Sequence, residues 1–138
     1  MATRRELQKL ACLRLREAEA LFNAGCYDGC AYLCGYVVEL ALKAAICARL
    51  DLDEYPEKRL EGKFKKHDFE DLKLLGGLER AFQTANPNLL ANWSVASEWK
   101  EVRRYEPEGT YDKSAASEVL EAVRNYPDGV LAWLSSHW

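Results

Sequence analysis

The stretch Ala31–Leu50, AYLCGYVVELALKAAICARL, decides how this chain folds. It is too apolar for a solvated helix, yet a polar stripe interrupts it at spacings of four, three and four residues: Tyr32, Tyr36, Glu39 and Lys43. Residues at these spacings lie on one face of an α-helix. The stretch therefore predicts a central, largely buried helix whose polar stripe serves as an ion pair, a dimer seam or a binding site.

The composition is that of one soluble globular domain. The 138 residues are 49% hydrophobic and 30% charged, which suits a single core over residues 1–138. The net charge of -3 provides no global basic field for general nucleic-acid binding. The N-terminal MATRRELQKL lacks the apolar core of a signal peptide. No uncharged apolar run reaches the roughly 18 residues that a membrane span needs. We therefore expect a cytoplasmic domain that does not contact the membrane.

The cysteines predict neither disulfides nor a metal site. Cys26, Cys30 and Cys34 are four residues apart and share a helix face, where side chains rarely reach disulfide geometry. The zinc-binding patterns CxxC and HxxxH are absent from the sequence. We expect reduced thiols, no bound metal and no cofactor.

Two long helices are predicted to open the chain as a hairpin. A first helix over residues 3–24 ends before Gly25, which is where a C-terminal glycine belongs. The second begins near Asp28, and so short a connection forces antiparallel packing. Residues 51–66 are charged and contain Pro56 and Gly62, so they predict a surface loop, which carries a basic cluster: Arg59, Lys63, Lys65 and Lys66.

The second half of the chain carries further helix signals. Asp68 is expected to cap a helix that Gly76-Gly77 ends or bends, and Asn86-Pro87 starts another. Ser114 is expected to cap the final helix, which Pro127 should split near Tyr126. Pro107 and Gly109 place residues 103–111 in a loop. Without a run of alternating β-branched residues, the chain predicts an all-α, antiparallel up-and-down bundle of about five helices.

Four landmarks stand in order along the chain: GCYDGCAY, VELALKA, HDFEDL and the Arg103-Arg104-Tyr105 sequence before the last helix. This ordered set resembles the HEPN domain family, the small helical bundles of prokaryotic toxin–antitoxin and defence systems. The resemblance covers nearly the whole chain. It implies an up-and-down bundle that forms a homodimer through its first two long helices or its last one. It also implies a minimal nucleotidyltransferase partner or an RNA or nucleotide ligand.

The family's catalytic motif is incomplete here. Active members are metal-independent ribonucleases with an Arg-x4-6-His motif near the start of the last long helix. In this chain Arg104 is followed by YEPEGTYDKSAAS, which contains no histidine and offers Tyr105 and Tyr111 instead. A phenol with a pKa near 10 cannot replace an imidazole as a general base near neutral pH. The resemblance therefore supports the fold and a binding role, and argues against the usual ribonuclease chemistry.

A non-catalytic binding groove is the first functional hypothesis. Arg104 and Lys43 would bind phosphate, because guanidinium and ammonium groups pair with phosphate oxygens. Tyr105 would stack on a base or donate a hydrogen bond. The full predicted groove is Tyr36, Glu39, Lys43, Arg103, Arg104 and Tyr105. The alternatives are a partly buried Glu39–Lys43 ion pair that fixes helix register, and a solvated basic turn at Arg103 and Arg104.

Two further hypotheses stay open. In a weak ribonuclease, Arg104 would stabilise the charge of the phosphorane, and Tyr105, Tyr111 or His67 would transfer protons. His67 could be the general base if the fold brings it near Arg104. In a purely structural module, the polar stripe would itself be the interface with a partner.

Overall fold

The computed structural model describes residues 2–58, 64 and 66–138, and the fold is all-helical. The described residues form seven α-helices: α1 (Arg4–Asn23), α2 (Tyr27–Leu50), α3 (Phe69–Leu75), α4 (Glu79–Gln83), α5 (Pro87–Ala96), α6 (Lys113–Arg124) and α7 (Val130–Ser135). A short 3-10 helix, Glu101–Tyr105, lies between α5 and α6. Its last three residues belong to the stretch that was predicted as a loop, residues 103–111. The predicted all-α bundle is confirmed. Of the predicted basic cluster, Arg59, Lys63 and Lys65 lie outside the described residues.

The α1–α2 hairpin is built by local signals at both ends of α1. The Thr3 hydroxyl accepts a hydrogen bond from the Glu6 N–H, and the Glu6 carboxylate accepts one from the Thr3 N–H. This reciprocal capping lowers the pKa of Glu6. After α1, Gly25 adopts a φ of 78°, which glycine enters at little cost. The chain then turns back, and α2 packs along α1.

Helix α2 is the core of the bundle. It contacts α1, α3, α5, α6, α7 and the 3-10 helix. By length and composition α2 could cross a membrane, yet 78% of its most apolar window is buried inside the bundle. A central helix covered on most sides needs the same apolar composition, so this burial accounts for it. The polar stripe of α2 is covered by Trp99, His67 and Tyr55, which lie in the segments between the helices.

The helices after residue 86 follow their predicted starts with one correction. Asn86 caps α5, because its side-chain oxygen accepts from the Leu89 N–H at 2.9 Å. The prediction that Ser114 caps the last long helix is wrong. The Asp112 carboxylate accepts from the Ala115 N–H at 2.8 Å, so α6 starts at Lys113 and Ser114 lies within its first turn. Pro127 separates α6 from α7, as predicted. Because predicted helices are divided in this way, the described residues form seven helices instead of about five.

Candidate functional site

Trp99 anchors the candidate site to α2. Its indole ring lies directly against Gly35, and it packs beside Tyr36 with ring centroids 5.2 Å apart. The ring of Phe69, at the start of α3, stacks on Trp99 at 5.4 Å with nearly parallel planes. These contacts hold the 3-10 helix, which begins two residues after Trp99, and the segment before α3 over the same face of α2.

A buried carboxylate of α2 holds His67. The Nδ1 atom of His67 lies 2.5 Å from Glu39 Oε1. Glu39 is 4% exposed, whereas the His67 side chain is 40% exposed. An ionised carboxylate only accepts hydrogen bonds, so Nδ1 donates to Glu39 and Nε2 lies on the opposite side of the ring. A carboxylate that orients an imidazole in this way fixes which ring nitrogen is available to a ligand.

Lys43 is turned away from the surface. Its ammonium lies 3.7 Å from Glu39 Oε2 and 5.1 Å from the centre of the Tyr55 ring. Only 7% of the residue is exposed. The Glu39–Lys43 contact is the i,i+4 ion pair that the sequence offered as an alternative to a ligand contact. Lys43 is therefore placed to neutralise Glu39 rather than to reach a bound phosphate.

Glu101 links His67 to Arg104. One oxygen of its carboxylate lies 3.2 Å from His67 Nε2, and the other lies 2.6 Å from an Arg104 guanidinium nitrogen. The Glu101 side chain is 27% exposed. The fold thus brings His67 and Arg104 to opposite sides of one carboxylate, although 37 positions separate them in the sequence.

Arg104 and Tyr105 present a cation and an aromatic ring together. The guanidinium carbon of Arg104 lies 4.8 Å from the centre of the Tyr105 ring. Hydrogen bonding to Tyr105 and then to Glu101 raises the pKa of Arg104 further above its ordinary value, so the cation is permanent. Tyr105 is 77% exposed.

Tyr36, on the polar stripe of α2, shares a hydrogen bond with the Tyr32 hydroxyl at 3.1 Å. Burial raises the pKa of Tyr36, so it remains a neutral phenol.

Arg103 points to a different part of the surface. It donates a hydrogen bond to the Tyr111 hydroxyl, and its guanidinium lies 5.7 Å from the Tyr111 ring centre. The loop that carries Tyr111 is fixed from α2, because Asp28 accepts from the backbone N–H groups of Gly109 and Tyr111 at 2.7 and 2.8 Å. Asp28 therefore sets the position of the Arg103 partner.

The cavity beside Arg103 is too small for a nucleotide. Its volume is about 30 Å³, enough for one or two water molecules. It is lined by Asp28, Tyr32, Trp99, Arg103, Glu106, Pro107, Thr110 and Tyr111. A ligand of nucleotide size at this face would have to bind on the outer surface, where Arg104 and Tyr105 are exposed and His67 is half-buried.

Replacing Asp28 with alanine should release the loop that holds Tyr111. Two backbone N–H groups would lose a charged acceptor, so we expect the free energy of unfolding to fall by about 2 kcal/mol. Urea denaturation followed by circular dichroism measures the change. Glu108→Ala removes a charge from the same loop at an exposed residue with no hydrogen bond among the described side chains. Equal stability of the two variants would show that Asp28 does not hold the loop.

The sequence identified most residues of this face but missed two of its connections. His67 and Arg104 are joined through Glu101, which was not among the predicted site residues. Its position three residues before Arg104 is the spacing of a helical ion pair, and this was the available signal. Asp28 was read only as a helix start, since nothing local points to partners 81 and 83 residues away.

The carboxylates around His67 do not form a metal site. Glu39 and Glu101 contact opposite edges of one imidazole ring, so their oxygens do not converge on a common point. In the part of the chain that the structure describes, no group of three or more His, Cys, Asp and Glu side chains could hold a metal ion.

Comparison with known protein families agrees with the helical order and with the landmarks along the chain. The model of the HEPN domain matches residues 5–128, which span α1 to the turn before α7. Comparisons with curated proteins and with solved structures gave no significant match. The match to the family model covers most of the chain, and the chain therefore belongs to the HEPN domain family.

Proposed function

We propose that this HEPN domain binds single-stranded RNA at the surface formed by His67, Arg104 and Tyr105, which we name the His67–Arg104 surface. The observation that carries the proposal is the permanent Arg104 cation beside a tyrosine ring that is 77% exposed. A guanidinium binds phosphate oxygens through paired hydrogen bonds, and an exposed ring stacks on a nucleobase. The proposal places the protein in the cytoplasm, as part of a toxin–antitoxin or defence-type system.

Binding without cleavage is the function that this arrangement supports best. The Nε2 atom of His67 faces the Glu101 carboxylate instead of an open surface. The segment after Arg104 contains no histidine that could serve the family's motif. Arg103 is engaged with Tyr111, so it supports the loop and is placed less directly for a ligand.

Glu39 and Lys43 support this surface from inside the bundle. Glu39 orients His67, and Lys43 neutralises the second oxygen of the Glu39 carboxylate. The proposal therefore omits Lys43 and Tyr36 as RNA contacts. It assigns the polar stripe of α2 the role of positioning the exposed groups, so that they are in a fixed arrangement before RNA binds.

A metal-independent ribonuclease is the second candidate, and the Glu39–His67 pair is the observation that favours it. A general base oriented by a carboxylate is a recurring feature of catalytic sites. His67 Nε2 would take the proton of the ribose 2′-hydroxyl while the 2′-oxygen attacks phosphorus. The 5′-oxygen would leave and take up a proton from water, and Arg104 would stabilise the charge on the phosphorane. For this step Glu101 would have to move away from Nε2.

Arg104→Ala should weaken binding of a fluorescein-labelled 12-nucleotide single-stranded RNA by about tenfold, because the main phosphate-binding cation is lost. Fluorescence anisotropy at low salt measures the affinity. Arg5→Ala is the matched control, since Arg5 is exposed and forms no ion pair within the described residues. It removes the same charge at the start of α1 and should change the affinity by less than about twofold.

Cleavage of the same RNA is followed in parallel with EDTA present. If the wild-type protein cleaves the RNA and both Arg104→Ala and His67→Gln lose this activity, the ribonuclease would replace the binding proposal. Equal affinities of Arg104→Ala and Arg5→Ala would contradict binding at the His67–Arg104 surface. Wild-type protein that binds no RNA would favour a partner role, as a structural module or with a nucleotidyltransferase. We also propose that the protein forms a homodimer, and light scattering tests this.

A further inference from the structure

The Glu101 carboxylate contacts both of the groups on the His67–Arg104 surface that could bind an anion. Its two carboxylate oxygens are divided between them, one 2.6 Å from the Arg104 guanidinium and the other 3.2 Å from His67 Nε2. The Glu101 carboxylate therefore accepts a hydrogen bond from Arg104 and lies within ion-pair distance of His67. These two groups come from different parts of the fold, the 3-10 helix and the segment before α3.

This bridge has the form of a bound phosphate. A phosphodiester also presents two terminal oxygens that share one negative charge, and it binds donors in the same forked way. An anion placed between Arg104 and His67 would receive the contacts that Glu101 now receives. Phosphate and the Glu101 carboxylate cannot occupy this position together, because both are anions.

Each of the two carboxylates beside His67 is paired with a cation. Behind His67, the Glu39 carboxylate is paired with the Lys43 ammonium. In front of it, the Glu101 carboxylate is paired with Arg104. Removing Glu101 from the bridge leaves one unpaired cation facing solvent at Arg104. The site then attracts an anion, and a protonated His67, the form in which Nε2 donates a hydrogen bond, adds a second cation to it.

The Glu101 side chain is able to leave. It is 27% exposed and lies on a five-residue 3-10 helix at the surface. In contrast, Glu39 is buried and held by two partners. Release of Glu101 would expose its carboxylate to water without leaving a buried charge behind, so the cost is that of separating a partly exposed ion pair.

We propose that Glu101 is an internal competitor that occupies an anion site between His67 and Arg104, and that a phosphate group binds there by displacing it. The assignment of this phosphate to RNA rests on the proposed function, whereas the anion site rests on the geometry. Glu101 thereby sets the affinity of the surface for phosphate groups. It disfavours ligands that contact the surface through one anionic group and nothing else.

Glu101→Gln tests the proposal, because glutamine keeps the size of the side chain and removes its charge. Inorganic phosphate is titrated into the full chain while the NMR signals of the Arg104 side chain and the His67 ring are followed. We expect phosphate to bind about fivefold more tightly to Glu101→Gln than to wild type. Binding of the 12-nucleotide RNA should tighten by a similar factor. Glu98→Gln is the matched control, since Glu98 is exposed and forms no ion pair among the described residues.

The outcomes separate this inference from the proposed function. Phosphate affinity that is unchanged in Glu101→Gln, or raised equally in Glu98→Gln, overturns the inference even if Arg104→Ala weakens RNA binding. Tighter phosphate binding in Glu101→Gln alone sustains the inference, and it does so even if no variant binds RNA, a result that overturns the proposed function. Circular dichroism melting of each variant shows whether the fold is retained.

Discussion

Gly35→Ala is expected to lower the free energy of unfolding by about 3 kcal/mol, although alanine is the better helix former by about 1 kcal/mol. The reason is steric. A Cβ atom built on Gly35 would overlap the Trp99 ring at Nε1 and Cε2. Neither the middle of α2 nor the ring can yield easily, because α2 is packed on most sides and Phe69 stacks on Trp99.

The same substitution should also reduce RNA binding, because Trp99 fixes the start of the segment that carries Glu101, Arg104 and Tyr105. Gly29→Ala provides a control in the same helix. There the new Cβ would meet only the end of the flexible Leu21 side chain, whose Cδ1 atom would lie 3.2 Å away. Its stability should change by less than about 0.5 kcal/mol. Urea denaturation followed by circular dichroism compares the two variants, and equal stability would contradict close packing of Trp99 on Gly35.

Glu39→Leu is expected to destabilise the fold by about 3 kcal/mol, because it leaves the Lys43 ammonium buried without its carboxylate. Lys43 is 7% exposed and Glu39 4%, so water cannot easily replace the lost partner. The substitution also removes the acceptor that orients His67. The double variant Glu39→Leu/Lys43→Met should regain most of the lost stability, since an apolar pair of similar volume can replace a buried ion pair.

The double-mutant cycle is completed by Lys43→Met and measured by urea denaturation. Lys43→Met should cost less than Glu39→Leu, because Glu39 keeps its contact with His67. Additive effects of the two single substitutions would show that the charges do not interact, and the ion-pair assignment would then be wrong. RNA binding by Lys43→Met should stay within about twofold of wild type, since Lys43 is not assigned to the surface.

The fold could be predicted from the sequence because its main signals are local. A helix cap acts over three residues, as Asp68 and Asn86 do, and helical periodicity acts over three or four. Gly25 and Pro127 interrupt helices through their own backbone preferences. The error at Ser114 has the same local origin, because Asp112 lies only two residues earlier and is an equally good cap.

The polar stripe of α2 was also visible in the sequence, since its four residues share one helix. The residues that contact the stripe from other parts of the chain could not be predicted from the sequence. The contact of His67 with Glu39 spans 28 residues, and Asp28 reaches residues 81 and 83 positions away. Such contacts depend on how the elements pack, which local patterns do not specify. The sequence therefore defined an all-helical HEPN domain with a polar stripe and an exposed Arg-Tyr pair. Tertiary packing set Lys43 beside Tyr55 and joined His67 to Arg104 through Glu101. Only the three-dimensional arrangement brings such distant residues into contact.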